Sequence, residues 1–414
     1  MSQVPHVIGE GSYGCVHKPS LKCKKKSNNL SKKISKFMLK RHAEDEMKEY
    51  ETIEKIDDTK KYYLGNPILC TPEQSKQYDS AVRKCDLYEK YKSNKSKFAL
   101  LVMKDGGDNL SIYPKTNFEN NVEFTKKFWV EALRLFKGIH EFEKHGISHH
   151  DLKPQNIVYN ENKNRLNIID FGFMRKINDT VENCSNDEYY IAEYPFWSYP
   201  FEFAYLNKEK FMKVAKMSIS EKTILIKQLI HEMNYDKESK IHISSSLFFN
   251  YITQQYNREK KIKTISKYIE DFENMILYEI TVDNYDTFVK KSISTIDLFA
   301  LGISFQYLLC YCKKMDSNIF DDLEECFYKM MTPSVVNRHT IIEALYEFQN
   351  ILKKHDWIES NKVKIKTNKA DNKYLSLSLN KNKKNYFLEI QEDLKIKMNK
   401  IRSIHKTRKT YNKK

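Results

Sequence analysis

Several architectural signals are missing from this sequence. Its eight cysteines (Cys15, Cys23, Cys70, Cys85, Cys184, Cys310, Cys312 and Cys326) form no C-x-x-C pair and no Cys/His cluster at zinc spacing. That excludes the usual zinc modules. The N-terminus, MSQVPHVIGEG, shows no basic-then-apolar leader. Together these absences predict reduced, intracellular thiols and argue against a disulfide framework. The longest apolar stretch, Phe299–Cys312, contains Gln306 and is too short to span a bilayer, so it predicts a buried core helix. No internal repeat is visible. Net charge is nearly absent from the first 360 residues. The remainder holds 17 Lys/Arg against 4 Asp/Glu, a net +13 of the chain's +16. The basic character therefore belongs to a C-terminal appendage and not to the body of the protein.

What remains is substantial. At 414 residues and 40% hydrophobic content the chain can bury a large core. Two short strands joined by a glycine turn open it (VIGEGSYGCVHK), and Lys22–Lys33 reads as an exposed loop. KISKFM (33–38) and KFALLVMK (97–104) read as strands. His42–Ile56 and Phe124–Lys144 have helical periodicity. RLNIIDFGF (165–173) reads as a short strand entering a turn, and the chain beyond it is mainly helical. A strand-rich small lobe followed by a larger helical lobe is the expected α+β arrangement.

Three constellations carry chemistry. GEGSYGCV spaces Gly9, Gly11 and Gly14 ahead of Val16, and glycines let backbone N–H groups approach phosphate oxygens. By itself this is equally an ordinary hairpin turn. HHDLKPQN is more specific, with Asp151, Lys153 and Asn156 at D-x-K-x-x-N. A carboxylate there can orient a hydroxyl or accept its proton. A lysine two residues on can neutralise a phosphoryl group, and the asparagine amide oxygen can ligate Mg²⁺. Asp170, in IIDFGF, supplies a second hard oxygen ligand of the kind a metal-bridged triphosphate requires.

In these motifs the sequence resembles the eukaryotic-type protein kinase family over roughly residues 7–350. His149–Asn156 resembles its H-R-D-L-x-x-x-N loop, Asp170–Gly172 its D-F-G, and Gly9–Val16 its glycine-rich loop. The resemblance implies a bilobal kinase fold binding ATP and Mg²⁺ and acting on protein substrates. It implies Asp151 as catalytic base beside Lys153, with Asn156 and Asp170 as metal ligands. Ile8, Gly9, Gly11, Gly14 and Val16 would meet the nucleotide. Lys153 is similar to the serine/threonine subgroup. Pro200-Phe201-Glu202 stands where the family has A-P-E, DLFALG (297–302) resembles its D-x-W-x-x-G, and Arg338 matches the arginine that pairs with the A-P-E glutamate. GSYGCVHKPSLKC and KISKFM look most like divergent kinases of giant DNA viruses, which would place the protein in the host cytoplasm or the virion. For the phosphate-binding lysine, Lys36 is preferred over Lys32 because apolar residues flank it. Its helix partner is expected to be Glu46, with Glu49 and Glu44 as alternatives.

The expected units are 1–104 (small lobe), 105–355 (large lobe, with an insertion at about 205–292) and 356–414. The last is read as a largely disordered basic tail with a helix around 387–402, able to contact nucleic acid or an acidic partner. The insertion arises because 94 residues separate Glu202 from Asp297. It is expected either to shape substrate choice or to be a bland helical decoration. His150 replaces the family's arginine. An uncharged ring grips phosphate weakly, so activity is not expected to depend strongly on activation-loop phosphorylation, for which Thr180, Ser185, Tyr189 and Tyr190 are the candidate sites. A pseudokinase scaffold and a small-molecule kinase are the competing readings.

Overall fold

The computed structural model describes residues 4–11, 13–24, 30, 32–186 and 196–358. The small lobe is a five-stranded antiparallel sheet in the order β1-β2-β3-β5-β4. Its strands are β1 (His6–Gly11), β2 (Gly14–Lys18), β3 (Lys33–Leu39), β4 (Ile68–Cys70) and β5 (Phe98–Lys104). Between them lie three helices, α1 (Lys40–Ile56), α2 (Lys76–Val82) and α3 (Asp86–Tyr91). Register decides which side chains share a face. Gly9 pairs with Val16, Val16 with Lys36, and Lys36 with Leu101. Directly opposed residues point to one side of a sheet, so Val16 and Lys36 share the face that α1 adjoins. There Met38, Ala99 and Leu101 pack with Ala43 of α1. Cys15, Phe37, Leu100 and Val102 fall on the other face, under Tyr78, Val82, Cys85 and Tyr88 of α2 and α3. Gly14 sits at a close approach, where a Cβ would lie 2.1 Å from the Phe37 carbonyl oxygen.

The structure corrects the expectation of reduced thiols throughout. Cys15 is bonded to Cys85 and Cys23 to Cys70, with Cα atoms 6.0 and 5.8 Å apart. Both bonds lie in the small lobe. The partners are 70 and 47 residues apart in sequence. The absence of C-x-x-C says nothing about pairs that only sheet register and a helical cover bring together. Cys184, Cys310, Cys312 and Cys326 are free and buried.

The large lobe begins with β6 (Asp108–Asn109), α4 (Thr116–Asn120), α5 (Val122–Lys144) and β7 (Ile147–Ser148). Then come β8 (Ile157–Asn160), β9 (Arg165–Ile168), β10 (Arg175–Lys176) and α6 (Ile177–Ser185). Strands β6, β8 and β9 form one small sheet, and β7 pairs with β10. The insertion supplies α7 (Lys208–Ala215), α8 (Ile219–Tyr235), α9 (Lys240–Thr253), α10 (Arg258–Asn274) and α11 (Tyr285–Ser294). It is followed by α12 (Ile296–Leu309), α13 (Ser317–Met331) and α14 (Ile341–Lys354). Every residue of α12 is buried, as an all-round apolar helix requires. Trp129 and Phe136 of α5 meet Phe305 of α12, and Trp129 meets Phe327 of α13, at 5.3–5.6 Å. The insertion shares this core: Phe248 of α9 stacks on Phe299 of α12 at 6.0 Å. Among the described residues no single helix is long and apolar enough to cross a membrane. Residues from Met1 to Leu352 fall within one compact unit. Tyr189, Tyr190, the basic tail and the helix expected at 387–402 lie outside the described residues.

Candidate active site

Lys36 is placed by strand alternation and fixed by two carboxylates. Its Nζ donates to Glu46 Oε2 at 2.7 Å and to Asp170 Oδ1 at 2.8 Å. The buried stripe of α1 is Ala43, Glu46, Tyr50 and Ile53, at the three- and four-residue steps of a helix face. That stripe explains why Glu46 reaches the lysine, while Glu44 is exposed and Glu49 lies off the stripe. Lys32 is exposed in the turn before β3. Burial alone would lower the Lys36 ammonium, but Asp170 and Glu46 outweigh it and hold it above its ordinary range. Burial pushes the Glu46 carboxyl up against the pull of Lys36. Asp170 is partly open, with 37% of its side chain exposed. Burial would raise it, and Lys36 overrides that to hold it below the usual carboxylate range.

The loop after β7 carries the second group. Lys153 Nζ donates to both oxygens of Asp151, at 2.8 and 2.9 Å. Asn156 Nδ2 donates to the Asp151 backbone oxygen at 2.7 Å and to Oδ2 at 2.9 Å. Because Nδ2 is engaged, the amide oxygen of Asn156 is the atom that could hold a metal. The β8–β9 ladder brings Asn156 and Asp170 together, because Ile169 N donates to the Asn156 carbonyl at 3.0 Å. His149 braces the same junction: its Nε2 lies 2.9 Å from the Ile169 carbonyl, and its ring lies 5.1 Å from that of Phe171. His150 and Asp170 have φ of +67° and +64°, the left-handed region that non-glycine residues enter at a cost of order 1–3 kcal/mol.

Asp297 at the start of α12 holds the strained loop in place. Its carboxylate accepts the His149 N–H at 2.6 Å and the His150 N–H at 2.9 Å. Tyr199 OH donates to the His150 carbonyl at 2.7 Å. The His150 ring is buried against Tyr199 and Phe203. Burial, aided by Arg175 and His149, pushes its pKa down to about 3. Farther along, Arg338 Nη1 meets Glu202 Oε1 at 2.5 Å, both side chains being wholly buried. Thr180 is buried with its hydroxyl bonded to the Lys176 carbonyl. In this state it offers no accessible phosphosite. Ser185, in α6, donates its hydroxyl to the Val181 carbonyl.

Above this cluster, β1, β2 and their turn bring the remaining candidates. A Cβ at Gly9 or Gly11 would meet nothing within 4 Å, so packing does not require these glycines and the space over them is open. Ile8 is exposed and Val16 half-buried. Glu10 Oε1 accepts the Asp86 N–H at 2.8 Å, tying the turn to the start of α3. Sequence reasoning missed the loop-holding contacts of Asp297 and Tyr199. It also missed three residues beside the catalytic loop: Gln155, Phe196 and Tyr251. DLFALG had marked Asp297 only by resemblance, and Tyr251 sits in a segment without a motif.

Two lobes with this site between them define the α+β bilobal protein kinase fold. Residues 2–194 match the family model described as the protein kinase domain. The chain is 27% identical over 122 residues to the human SNF-related serine/threonine-protein kinase, covering 30% of this chain and 15% of that protein. It is 30% identical over 179 residues to the serine/threonine-protein kinase PKH3 of Saccharomyces cerevisiae, covering 43% and 17%. It is 31% identical over 114 residues to calcium-dependent protein kinase 5 of Plasmodium falciparum, covering 26% and 19%. The matches thus span less than a fifth of each of these relatives. This similarity supports a place in the eukaryotic-type protein kinase superfamily.

Proposed function

We propose that this chain is an active serine/threonine protein kinase that moves the γ-phosphoryl group of ATP to protein hydroxyls. The observation that carries the reading is Lys36 held between Glu46 and Asp170 at 2.7 and 2.8 Å. A scaffold without catalysis has no need to keep that ion triad beside Asp151, Lys153 and Asn156. The donor set suits Mg²⁺, since Asn156 and Asp170 offer an amide oxygen and a partly open carboxylate, both hard ligands. Mg²⁺ held there would neutralise phosphate charge in the transition state. Lys36 binds phosphate oxygens. Asp151 orients the attacking hydroxyl and takes its proton, while Lys153 offsets charge on the phosphoryl group in transit. The bond from the γ-phosphorus to its bridging oxygen breaks as the new ester bond forms, and ADP leaves. Positioning and fixed charges supply the acceleration.

Asp151→Asn should abolish Mg²⁺-dependent transfer from ATP to mixed protein substrates. Equal transfer in variant and wild type would overturn the mechanism, and none in either would favour a pseudokinase scaffold. A small-molecule kinase is disfavoured by the buried Arg338–Glu202 pair anchoring the segment beside the loop. The likeness of the N-terminal segments to giant DNA virus kinases is a further part of this proposal. Of the two places that likeness suggests, the disulfides favour the virion over the reducing host cytoplasm. The basic tail is proposed as an electrostatic contact for nucleic acid or an acidic partner, weakened by salt.

A further inference from the structure

The two disulfides of the small lobe differ in what stands beside them. At Cys15 and Cys85 a carboxylate joins the sulfurs: Glu10 Oε1 lies 3.2 Å from Cys15 Sγ. The two sulfurs and a Glu10 oxygen are all within 4.8 Å of one another. Among the described residues no histidine, cysteine or carboxylate completes such a set at Cys23 and Cys70. The β1–β2 register puts Glu10 directly opposite Cys15, so their side chains share a face. Cys85 comes from the start of α3. A bonded sulfur carries no S–H, so the disulfide offers this carboxylate nothing to accept. Glu10 Oε1 is instead held in place by the Asp86 N–H at 2.8 Å, a backbone donor that stays the same when the sulfurs are reduced. Hydrogen bonds of this kind orient the carboxylates of metal sites. Both cysteines are wholly buried and Glu10 is exposed, which leaves the set open on the carboxylate side.

We propose that Glu10, Cys15 and Cys85 form a zinc site when their disulfide is reduced, with the fourth position taken by water. The donor set selects the metal. Two thiolates favour soft or borderline ions, and a carboxylate beside them favours Zn²⁺ over Cu(I). Tetrahedral zinc, with sulfur at about 2.3 Å and oxygen at about 2.0–2.2 Å, spaces its ligand atoms by roughly 3.5–3.8 Å. Cα atoms 6.0 Å apart allow the freed sulfurs that separation. The reductant is a dithiol. It gives two electrons to the S–S bond and two protons to the sulfurs, and itself closes to a disulfide. Zn²⁺ then replaces the two thiol protons, which pass to water. Disulfide and zinc are thus alternative links between the same residues. Either one fastens β2, beside the glycine turn, to α3, so the turn stays tied under oxidising and reducing conditions alike. The inference does not depend on the kinase reading.

The test uses the full chain, reduced with dithiothreitol, desalted under argon and titrated with Co²⁺. That ion takes zinc sites and reports thiolate ligands by charge-transfer absorption in the near ultraviolet. The reduced chain should bind one Co²⁺ with such a band, and Zn²⁺ should bleach it where Mg²⁺ does not. The unreduced chain, which keeps its free Cys184, Cys310, Cys312 and Cys326, should show no band. Cys15→Ser should abolish the band. Glu10→Gln should weaken Co²⁺ binding by about tenfold or more, since losing even a group that supports a ligand costs a metal site that much. Replacing Cys23 and Cys70 by serine should leave the band and the affinity unchanged. If Cys15→Ser does not fold, Glu10→Gln and the Cys23→Ser, Cys70→Ser double variant carry the test. The inference is overturned by the absence of a band in the reduced chain, by a band that survives in Cys15→Ser, or by one lost with Cys23 and Cys70. Unchanged affinity in Glu10→Gln overturns it as well.

Discussion

Removing Arg338 should cost more stability than almost any other single change, and the cost should depend on pH in a defined direction. Its Nη1 is 2.5 Å from Glu202 Oε1 with both side chains 0% exposed, and its Nε donates to the Thr332 carbonyl at 2.9 Å. Arg338→Met leaves the Glu202 carboxylate in the core without its countercharge. Stripping one partner from a buried pair costs about 3–5 kcal/mol, a factor of roughly 10²–10⁴ in the folding equilibrium. The double change Arg338→Met with Glu202→Gln removes both charges and should recover a coupling energy of about 2 kcal/mol or more. In wild type, burial pushes the Glu202 carboxyl up and Arg338 pulls it back. Without Arg338 the main opposition to that push is gone. The folded state then holds a proton that the unfolded chain releases, so stability falls as pH rises from the ordinary carboxylate range toward the raised value. The variant should therefore regain stability as pH drops from 7 toward 5. Urea unfolding followed by far-UV circular dichroism at both pH values measures all of this. A loss below about 1 kcal/mol for Arg338→Met, or single losses that simply add in the double variant, would refute the reasoning.

Four further outcomes follow from the structure. The His150 ring, normally titrating near 6.5, is held at about 3 in the fold. The unfolded chain therefore takes up that proton first as pH falls. Its contribution is complete above pH 6.5 and is lost progressively down to pH 3, bounded at about 5 kcal/mol. His150→Gln should show a shallower fall in unfolding free energy over that window, and equal slopes would count against the burial argument. Phosphatase treatment of the full chain should leave transfer activity unchanged, and its abolition would mean that phosphate is bound by groups other than a neutral His150. Thiol titration of the denatured, unreduced chain should find four free thiols, not eight. Replacing Cys15 and Cys85 by serine should lower the unfolding midpoint, with a 70-residue loop released and about 4 kcal/mol at stake.

The motifs were legible because their chemistry is local. D-x-K-x-x-N sets Asp151, Lys153 and Asn156 within one loop, and the strand–turn after Arg165 carries Asp170 back beside it. Lys36 was separable from Lys32 because a packed strand needs apolar neighbours, and Ile34, Phe37 and Met38 supply them. Glu46 was legible only as one of three glutamates until the buried stripe of α1 singled it out. Residues 57–96 carry no motif, so neither the α2–α3 cover on the outer sheet face nor the cysteines it brings to the strands could be read. The insertion was visible as length, but the position of Tyr251 depends on how α9 packs against α12, which no spacing encodes.

His150 joins these levels. At the sequence level it is a missing positive charge. In the structure its ring is buried, uncharged and walled by Tyr199 and Phe203, while its backbone is fixed by Asp297 on one side and Tyr199 on the other. Arginine at this position would have to bury its charge or displace Tyr199, whose hydroxyl helps hold the left-handed turn. Tyr199 lies in the segment that ends at Glu202, and Glu202 is pinned by Arg338. The geometry of Asp151 is thus tied through Tyr199 and Glu202 to the core of the large lobe. The expectation that phosphatase leaves transfer activity unchanged rests on that tie.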